Sequence, residues 1–379
     1  MQDLRKIIWD LDKLSIPPEI YSAPEFESDA DVKAIFYDGL RWKGKPTKVF
    51  AWLGIPKNKT DEPMPAMVLI HGGGGTAFQE WVRLWNNRGY SAIAMDLCGC
   101  IPKGVYGNWN RHESGGPPGW GGFDQIDWEI EDQWTYHAIS DIILAHSIMS
   151  SLPEVDPNRI GMTGISWGGY LACIASGVDN RFKFAVPVYG CGFLGVNSCW
   201  LPTFQAMGEE KAEKWLNLWD PSNYLKNTMM PTLWVTGTND FAYPLDSVQR
   251  SYRATKGEHT LCIKLRMPHG HGGAGENPEE IHAYANSYLK NGSPLAKIID
   301  YGIDENIVWA SFESISDINQ AEILFTKDLG DWFNREWYSE PANIDKNIAF
   351  ANLPENATVC YLNLIDKDGL VVSSEHIEI

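Results

Sequence analysis

The pentapeptide Gly164-Ile165-Ser166-Trp167-Gly168 constrains this chain more than any other stretch. It lies between a β-like segment, Asn158 to Thr163, and a run of small helix formers, Gly169 to Ser176, closed by Gly177. A serine in that setting sits on a tight strand-to-helix turn, and glycine is needed on both sides because larger residues would collide with the strained backbone. Strand, serine, helix is the order that exposes a hydroxyl at the end of a sheet. The expected fold is therefore α/β, with a doubly wound, mostly parallel sheet. Ser166 is expected to be a nucleophile; the bland alternative is a structural turn.

A serine hydroxyl reacts poorly at neutral pH, so this expectation requires a base, an acid that orients it, and donors for the oxyanion. The order along the chain in such folds is Ser, then Asp or Glu, then His. After Ser166, the apolar run Thr232 to Gly237 leads to Asp240, the expected acid, with Asp246 as fallback. The next strand-like run, Thr260 to Met267, empties into Pro268-His269-Gly270-His271-Gly272, which offers two histidines as base. Upstream, the buried-strand run Ala66 to Ile70 ends in His71-Gly72-Gly73-Gly74-Gly75. Its glycines let backbone N–H groups approach a developing oxyanion, here from Gly73 and from Trp167. His71 precedes the acid and is expected to brace the loop. A phosphate-cradling role fails because no Gly-Lys-Ser/Thr follows. His269 and His271 could form a metal pair, but no third ligand follows at a suitable spacing, so no metal and no cofactor are expected.

These residues, with Arg88 to Asp96, make the chain resemble the serine α/β-hydrolase superfamily, nearest the acetyl xylan esterase and dienelactone-hydrolase-like, prolyl-oligopeptidase-related branch. The resemblance covers roughly residues 45 to 290. It implies an α/β-hydrolase fold and a Ser-His-Asp triad of Ser166, Asp240 and His271, because His271 matches the Gly-His-Gly pattern of prolyl-oligopeptidase-like relatives; His269, nearer the strand end, is the alternative base. It further implies hydrolysis of small acyl esters, acetyl above all, on carbohydrate. Dienelactone hydrolases carry cysteine where this chain has Ser166, which argues against that activity. Two other functions stay open: a serine peptidase of the prolyl-oligopeptidase clan, and a non-catalytic hydrolase-fold binding protein.

The chain has 379 residues and a net charge of −18. That acidity disfavours nucleic acid and anionic membranes as partners and suits a small-molecule or oligosaccharide ester; homo-oligomerisation stays open. No apolar run approaches a membrane span, which leaves a soluble protein, either cytoplasmic or periplasmic or secreted with a leader removed. Seven cysteines leave at least one thiol unpaired within the monomer; Cys98 with Cys100, or Cys191 with Cys199, are the pairs that loops could bring together.

The expected organisation is a catalytic domain over residues 1–294 and a small immunoglobulin-like β-sandwich over 295–379. The first opens with antiparallel strands, Val32 to Tyr37 and Thr47 to Ile55, and includes helices over Gln133 to Leu152, Glu209 to Trp219 and Pro278 to Lys290, the last capped by Asn277. Lid-like insertions are expected at about 99–132 and 191–230. In the second domain, strands are expected near Asn306 to Phe312, Ala321 to Thr326, Trp332 to Trp337, Ala357 to Ile365 and Leu370 to Ile379. Trp109, Trp120 and Trp200 in the insertions are candidate sugar-stacking surfaces, although with 17 tryptophans most must pack in the core.

Overall fold

The architecture grows from strands buried on both faces. All seven residues of Met64–Ile70 are buried. Val68 and Ile70 join the core that holds the helices Trp134–Ser151 and Trp167–Val178, while Met67 and Leu69 join the one that holds Gln79–Asn87 and Glu279–Leu289. Alternate side chains feed opposite faces, so one apolar run nucleates two layers of helix. Each such side chain contributes roughly 1.5–3 kcal/mol by leaving water.

The computed structural model describes residues 4–26, 31–56 and 62–379. The strands run β1 (Ile20–Ser22), β2 (Val32–Trp42), β3 (Lys45–Gly54), β4 (Met64–Ile70), β5 (Ser91–Met95), a separate hairpin of β6 (Cys100–Val105) and β7 (Asn108–Arg111), then β8 (Val155–Ile165), β9 (Ala185–Val188), β10 (Thr232–Gly237) and β11 (His259–Lys264). Apart from the hairpin they form one nine-stranded sheet in the order β1-β2-β3-β5-β4-β8-β9-β10-β11. The first three strands and their junction with β5 are antiparallel; from β5 to β11 every pair is parallel. This is the expected α/β-hydrolase sheet. The order reverses between β4 and β8, so the ends of these neighbours flank a topological switch point, where open parallel sheets bind ligands.

From Lys297 onward the chain is almost entirely β. The strands are β12 (Lys297–Asp304), β13 (Ile307–Glu313), β14 (Ile318–Thr326), β15 (Trp337–Asp345), β16 (Ile348–Asn352), β17 (Val359–Asp366), β18 (Val371–Ser373) and β19 (Ile377–Glu378). They form one antiparallel sheet, β12-β13-β16-β15-β14-β17-β18, with β19 on β17. β15 pairs with β14 along its first half and β16 along its second, which curls the sheet into a half-barrel. Val308 and Ala351 from one side then meet Phe325 and Leu362 from the other in a shared core. The two faces expected of a sandwich are thus joined through hydrogen bonds.

Two local expectations need correction. Trp332 to Trp337 is not a strand: Trp332–Asn334 is a single 3-10 turn, and β15 starts only at Trp337. Trp332 and Trp337 are buried in the core cluster that also holds the large sheet, so these aromatics pack the half-barrel against that sheet instead of alternating along a strand. Asn277 does not cap the final helix. Pro278 occupies the cap position, and the Asn277 side chain instead accepts from Arg88 Nη2 at 3.3 Å and meets His282 Nε2 at 2.9 Å.

The half-barrel covers the β11 edge of the large sheet. The Ile263 amide donates to Ser373 Oγ (2.8 Å), and the Ile263 carbonyl accepts from Asn363 Nδ2 (3.3 Å). Side chains thereby use polar groups that an exposed edge would offer to another chain.

Candidate active site

Ser166 follows the last residue of β8 and precedes the first turn of Trp167–Val178. Its backbone, at φ 57° and ψ −117°, lies where L-residues are strained, and its amide is held by the Val188 carbonyl at 3.0 Å. The flanking glycines are required by close approach. A Cβ on Gly164 would sit 2.1 Å from the Gly168 carbonyl oxygen, and one on Gly168 would sit 2.0 Å from that of Ile70. The helix does not stop at Gly177. It runs on to Val178, and Gly177 is there because its face touches the Tyr224 backbone, 2.3 Å from where a Cβ would stand.

Asp240 lies just beyond β10 and is 2% exposed. Its Oδ1 accepts the amides of Ala242 (2.9 Å) and Tyr243 (2.7 Å), which leaves Oδ2 for an imidazole. That imidazole belongs to His269, whose Nδ1 lies 2.7 Å from Asp240 Oδ2 and whose Nε2 lies 2.8 Å from Ser166 Oγ. The ring stacks on Tyr189 (4.2 Å) and leans on the exposed Phe241 (4.7 Å). A carboxylate at Nδ1 holds the proton there and turns the Nε2 lone pair toward the hydroxyl, the arrangement in which imidazole can take a serine proton. Asp246, the fallback acid, bonds Asn197 Nδ2 at 3.0 Å instead.

His271 is not at the serine, contrary to the sequence expectation. Between the two histidines, Gly270 is held through its carbonyl by the Tyr189 hydroxyl (2.7 Å), and beyond it the chain carries His271 over the glycine loop. There Nε2 accepts the Gly72 amide (2.9 Å), while Nδ1 faces Glu276 Oε1 (2.9 Å). The pair is therefore no common metal site, and among the described residues no group of three or more His, Cys, Asp or Glu could hold a metal ion.

The glycine loop is braced on several sides. His71 is buried and uncharged, its pKa pushed down to about 3 by desolvation; Nε2 accepts the Leu97 amide (3.1 Å) and Nδ1 donates to the Gly72 carbonyl (3.0 Å). The Tyr106 hydroxyl donates to the Gly73 carbonyl (2.8 Å), and Trp109 Nε1 donates to that of Gly74 (2.9 Å). Gly73 lies against the Trp167 ring, where a Cβ would come within 2.8 Å of Cδ1. The two expected oxyanion-donor residues are thus neighbours, and the Trp167 amide, first in its helix, has no carbonyl a turn earlier to bond.

The insertions carry regular structure, including the expected helix Glu209–Trp219. Residues 99–132 include the β6–β7 hairpin, and 191–230 contain the helices Leu201–Met207, Glu209–Trp219 and Ser222–Leu225; Trp215 Nε1 ties them together through the Gly121 carbonyl (2.7 Å). Of the three tryptophans, Trp109 is engaged in the brace, and Trp120 meets His71 (5.3 Å) and Trp134 (5.9 Å) edge-on. Trp200, half-buried, stands between Trp167 (4.6 Å) and Tyr243 (4.9 Å). Sequence reasoning did not single out Tyr189, Phe241 or Glu276; only their closeness to Asp240 or His271 along the chain marks the last two. All seven cysteines are free, so neither suggested pair is bonded. No described helix is long and apolar enough to cross a membrane.

With this geometry in view, similarity to known proteins is informative. The family described as acetyl xylan esterase (AXE1) matches residues 8–234, more than half of the chain, and the PhoPQ-activated pathogenicity-related protein family matches residues 202–304. The "Uncharacterized peptidase YuxL" of Bacillus subtilis (strain 168) is 27% identical over 267 residues, 66% of this chain but 35% of that protein. The chain thus spans about a third of that relative's length. The acetyl xylan esterase from Paenibacillus sp. R4 superposes with a TM-score of 0.60 at 22% identity, covering 76% of this chain and 95% of that one. Acetyl xylan esterase 1 from Thermoanaerobacterium sp. JW/SL YS485 gives 0.58 at 18%, covering 76% and 92%. At these identities the two structures speak to fold alone. The family match covers the nucleophile turn and the glycine loop, and on it the chain belongs to the acetyl xylan esterase (AXE1) family of serine α/β-hydrolases.

Proposed function

We propose that the protein is a serine carboxylesterase that removes small acyl groups, acetyl above all, from carbohydrate esters. The observation that carries this is the continuous path from Asp240 through His269 to Ser166, at 2.7 and 2.8 Å, in a chain of the AXE1 family. Ser166 Oγ attacks the ester carbonyl as His269 Nε2 takes its proton, and the amides of Gly73 and Trp167 receive the oxyanion. Collapse breaks the bond to the sugar oxygen, which leaves with the proton from His269. Water, deprotonated by the same nitrogen, then releases the carboxylic acid and restores Ser166. Asp240 holds the imidazole tautomer and stabilises its cation. Trp200, 4.6 Å from the Trp167 ring beside the nucleophile, offers the stacking face for the sugar.

Hydrolysis of nitrophenyl esters from acetate to octanoate, beside acetate release from acetylated xylan oligosaccharides, tests this. Preference for acetate together with release from the oligosaccharides is expected; octanoate preference without such release would overturn the substrate assignment. A second function, peptide hydrolysis, draws support from the similarity to YuxL. Turnover of peptide nitroanilides above that of acyl esters would favour it. A non-catalytic binding protein is the third, and labelling of Ser166 by a fluorophosphonate would remove it.

A further inference from the structure

The carbonyls of Gly72, Gly73 and Gly74 are all engaged. The Gly72 carbonyl takes His71 Nδ1 (3.0 Å) and the Gly75 amide (3.1 Å). The Gly73 carbonyl takes the Tyr106 hydroxyl (2.8 Å), and that of Gly74 takes Trp109 Nε1 (2.9 Å) and the Gly107 amide (2.8 Å). The Gly72 amide goes to His271 Nε2 at 2.9 Å. Among the described residues the Gly73 amide donates to none, and neither does that of Gly74, while the amides of Gly72 and Gly75 on either side are engaged, so the donor needed for an oxyanion is left over. Among the described residues His271 alone of these braces has an acid behind it. Its side chain is 10% exposed and that of Glu276 is 14% exposed, with Nδ1 to Oε1 at 2.9 Å.

We propose that His271 and Glu276 are positioning residues for the oxyanion hole: Glu276 holds the Nδ1–H tautomer, so that Nε2 presents a lone pair to the Gly72 amide and fixes the peptide preceding the Gly73 donor. This rests on the serine-esterase function proposed above. A backbone N–H can be accepted only by the unprotonated nitrogen, so the device works with neutral His271 and comes apart when that ring gains a second proton. The groups facing the ring are Glu276 on its own loop, the Tyr106 phenol from the β6–β7 hairpin, and His71 from the loop after β4; Phe78 and Trp81 pack against it without charge. Misplacement of a donor by a fraction of an ångström to 1 Å is expensive in rate, on the order of 10²-fold. The loss falls on the transition state and not on substrate binding, because the ground-state carbonyl gains little from the oxyanion donors.

The experiment compares His271→Ala, His271→Gln and Glu276→Gln with the wild type, and includes Ser166→Ala and His269→Ala. Readouts are kcat and KM for nitrophenyl acetate, the pH profile of kcat/KM, and inhibition by a trifluoromethyl ketone whose hydrate-free adduct places an oxyanion in the hole. His271→Ala is expected to lower kcat by about 10²-fold with KM within about threefold, and to weaken the ketone in parallel. His271→Gln, whose amide oxygen can still accept from Gly72, is expected to recover at least about tenfold of that loss. Glu276→Gln should lower kcat by about tenfold and keeps the test alive if His271→Ala does not fold. The proposal is overturned if His271→Ala keeps kcat within threefold, if its loss lies in KM, or if His271→Gln is no better than alanine. Activity retained by Ser166→Ala or His269→Ala would instead overturn the esterase function on which it rests, so the two failures are separable.

Discussion

Two histidine–carboxylate pairs, their histidines two residues apart, have nearly the same inner geometry in this molecule. Asp240 and His269 meet at 2.7 Å, Glu276 and His271 at 2.9 Å, and both rings are largely buried. They differ in what the far nitrogen faces. For His269 it is a hydroxyl that can give up a proton; for His271 it is a backbone amide that cannot. A histidine with an acid behind it is therefore not yet a base. The group in front of Nε2 decides whether the pair moves a proton or only holds a shape.

The comparison breaks most sharply at the serine. Ser166→Ala is expected to reduce kcat/KM on nitrophenyl acetate by about 10⁵-fold or more, with the unfolding transition preserved; activity within tenfold of wild type would end the distinction between the pairs. Exchanging each acid for its amide sharpens it. Asp240→Asn should cost about 10⁴-fold in kcat, because the imidazole adopts the wrong tautomer, while Glu276→Gln should cost far less. Equal losses would mean that both pairs carry the proton.

The remaining buried histidines give a reference class with no acid partner in hydrogen-bond contact. Burial pushes His137, His146, His282 and His376 down to about 4. Their folded pKa lies below the unfolded value of about 6.5, so the stability from keeping them neutral is present above that pH and is lost as pH falls toward 4. The melting temperature is expected to drop between pH 7 and pH 4.5, and His282→Asn should make that drop shallower; an unchanged slope would remove His282 from the acid-sensitive set. Asp96, raised to about 6 by desolvation, works in the opposite sense, its contribution being lost as pH rises through 6. The smallest effect concerns Asn239, beside the acid, whose Nδ2 reaches the carbonyls of Phe333 (3.0 Å) and Arg335 (2.7 Å) in the half-barrel segment. Asn239→Ala should cost about 1–2 kcal/mol, lower Tm by about 2–4 °C and reduce kcat a few-fold. A change in neither would separate the half-barrel from the acid loop.

Legibility differed between the sheets for a physical reason. The parallel strands are buried on both faces and read as unbroken apolar runs, as in Met64–Ile70. β12 has no buried residue and β15 has one, so half-exposed strands such as these carry little apolar signal and escaped notice. The aromatic stretch Trp332 to Trp337 misled because Trp332 and Trp337 are buried in the core cluster shared with the large sheet, a partner that local alternation does not reveal.

Within the chain itself, local rules determined the serine turn, the glycine loop, the acid after β10 and the α/β order of the large sheet and its helices. These depend on backbone strain, close approach and burial, which act over a few residues. What only the tertiary structure decided was which of His269 and His271 faces Ser166, and that Glu276 and Gly72 close around the other. Both histidines leave the same strand end in the same loop. Their roles separate only where the Tyr189 hydroxyl, just past the end of β9, holds Gly270 and the second ring turns to the Gly72 amide instead of the serine hydroxyl.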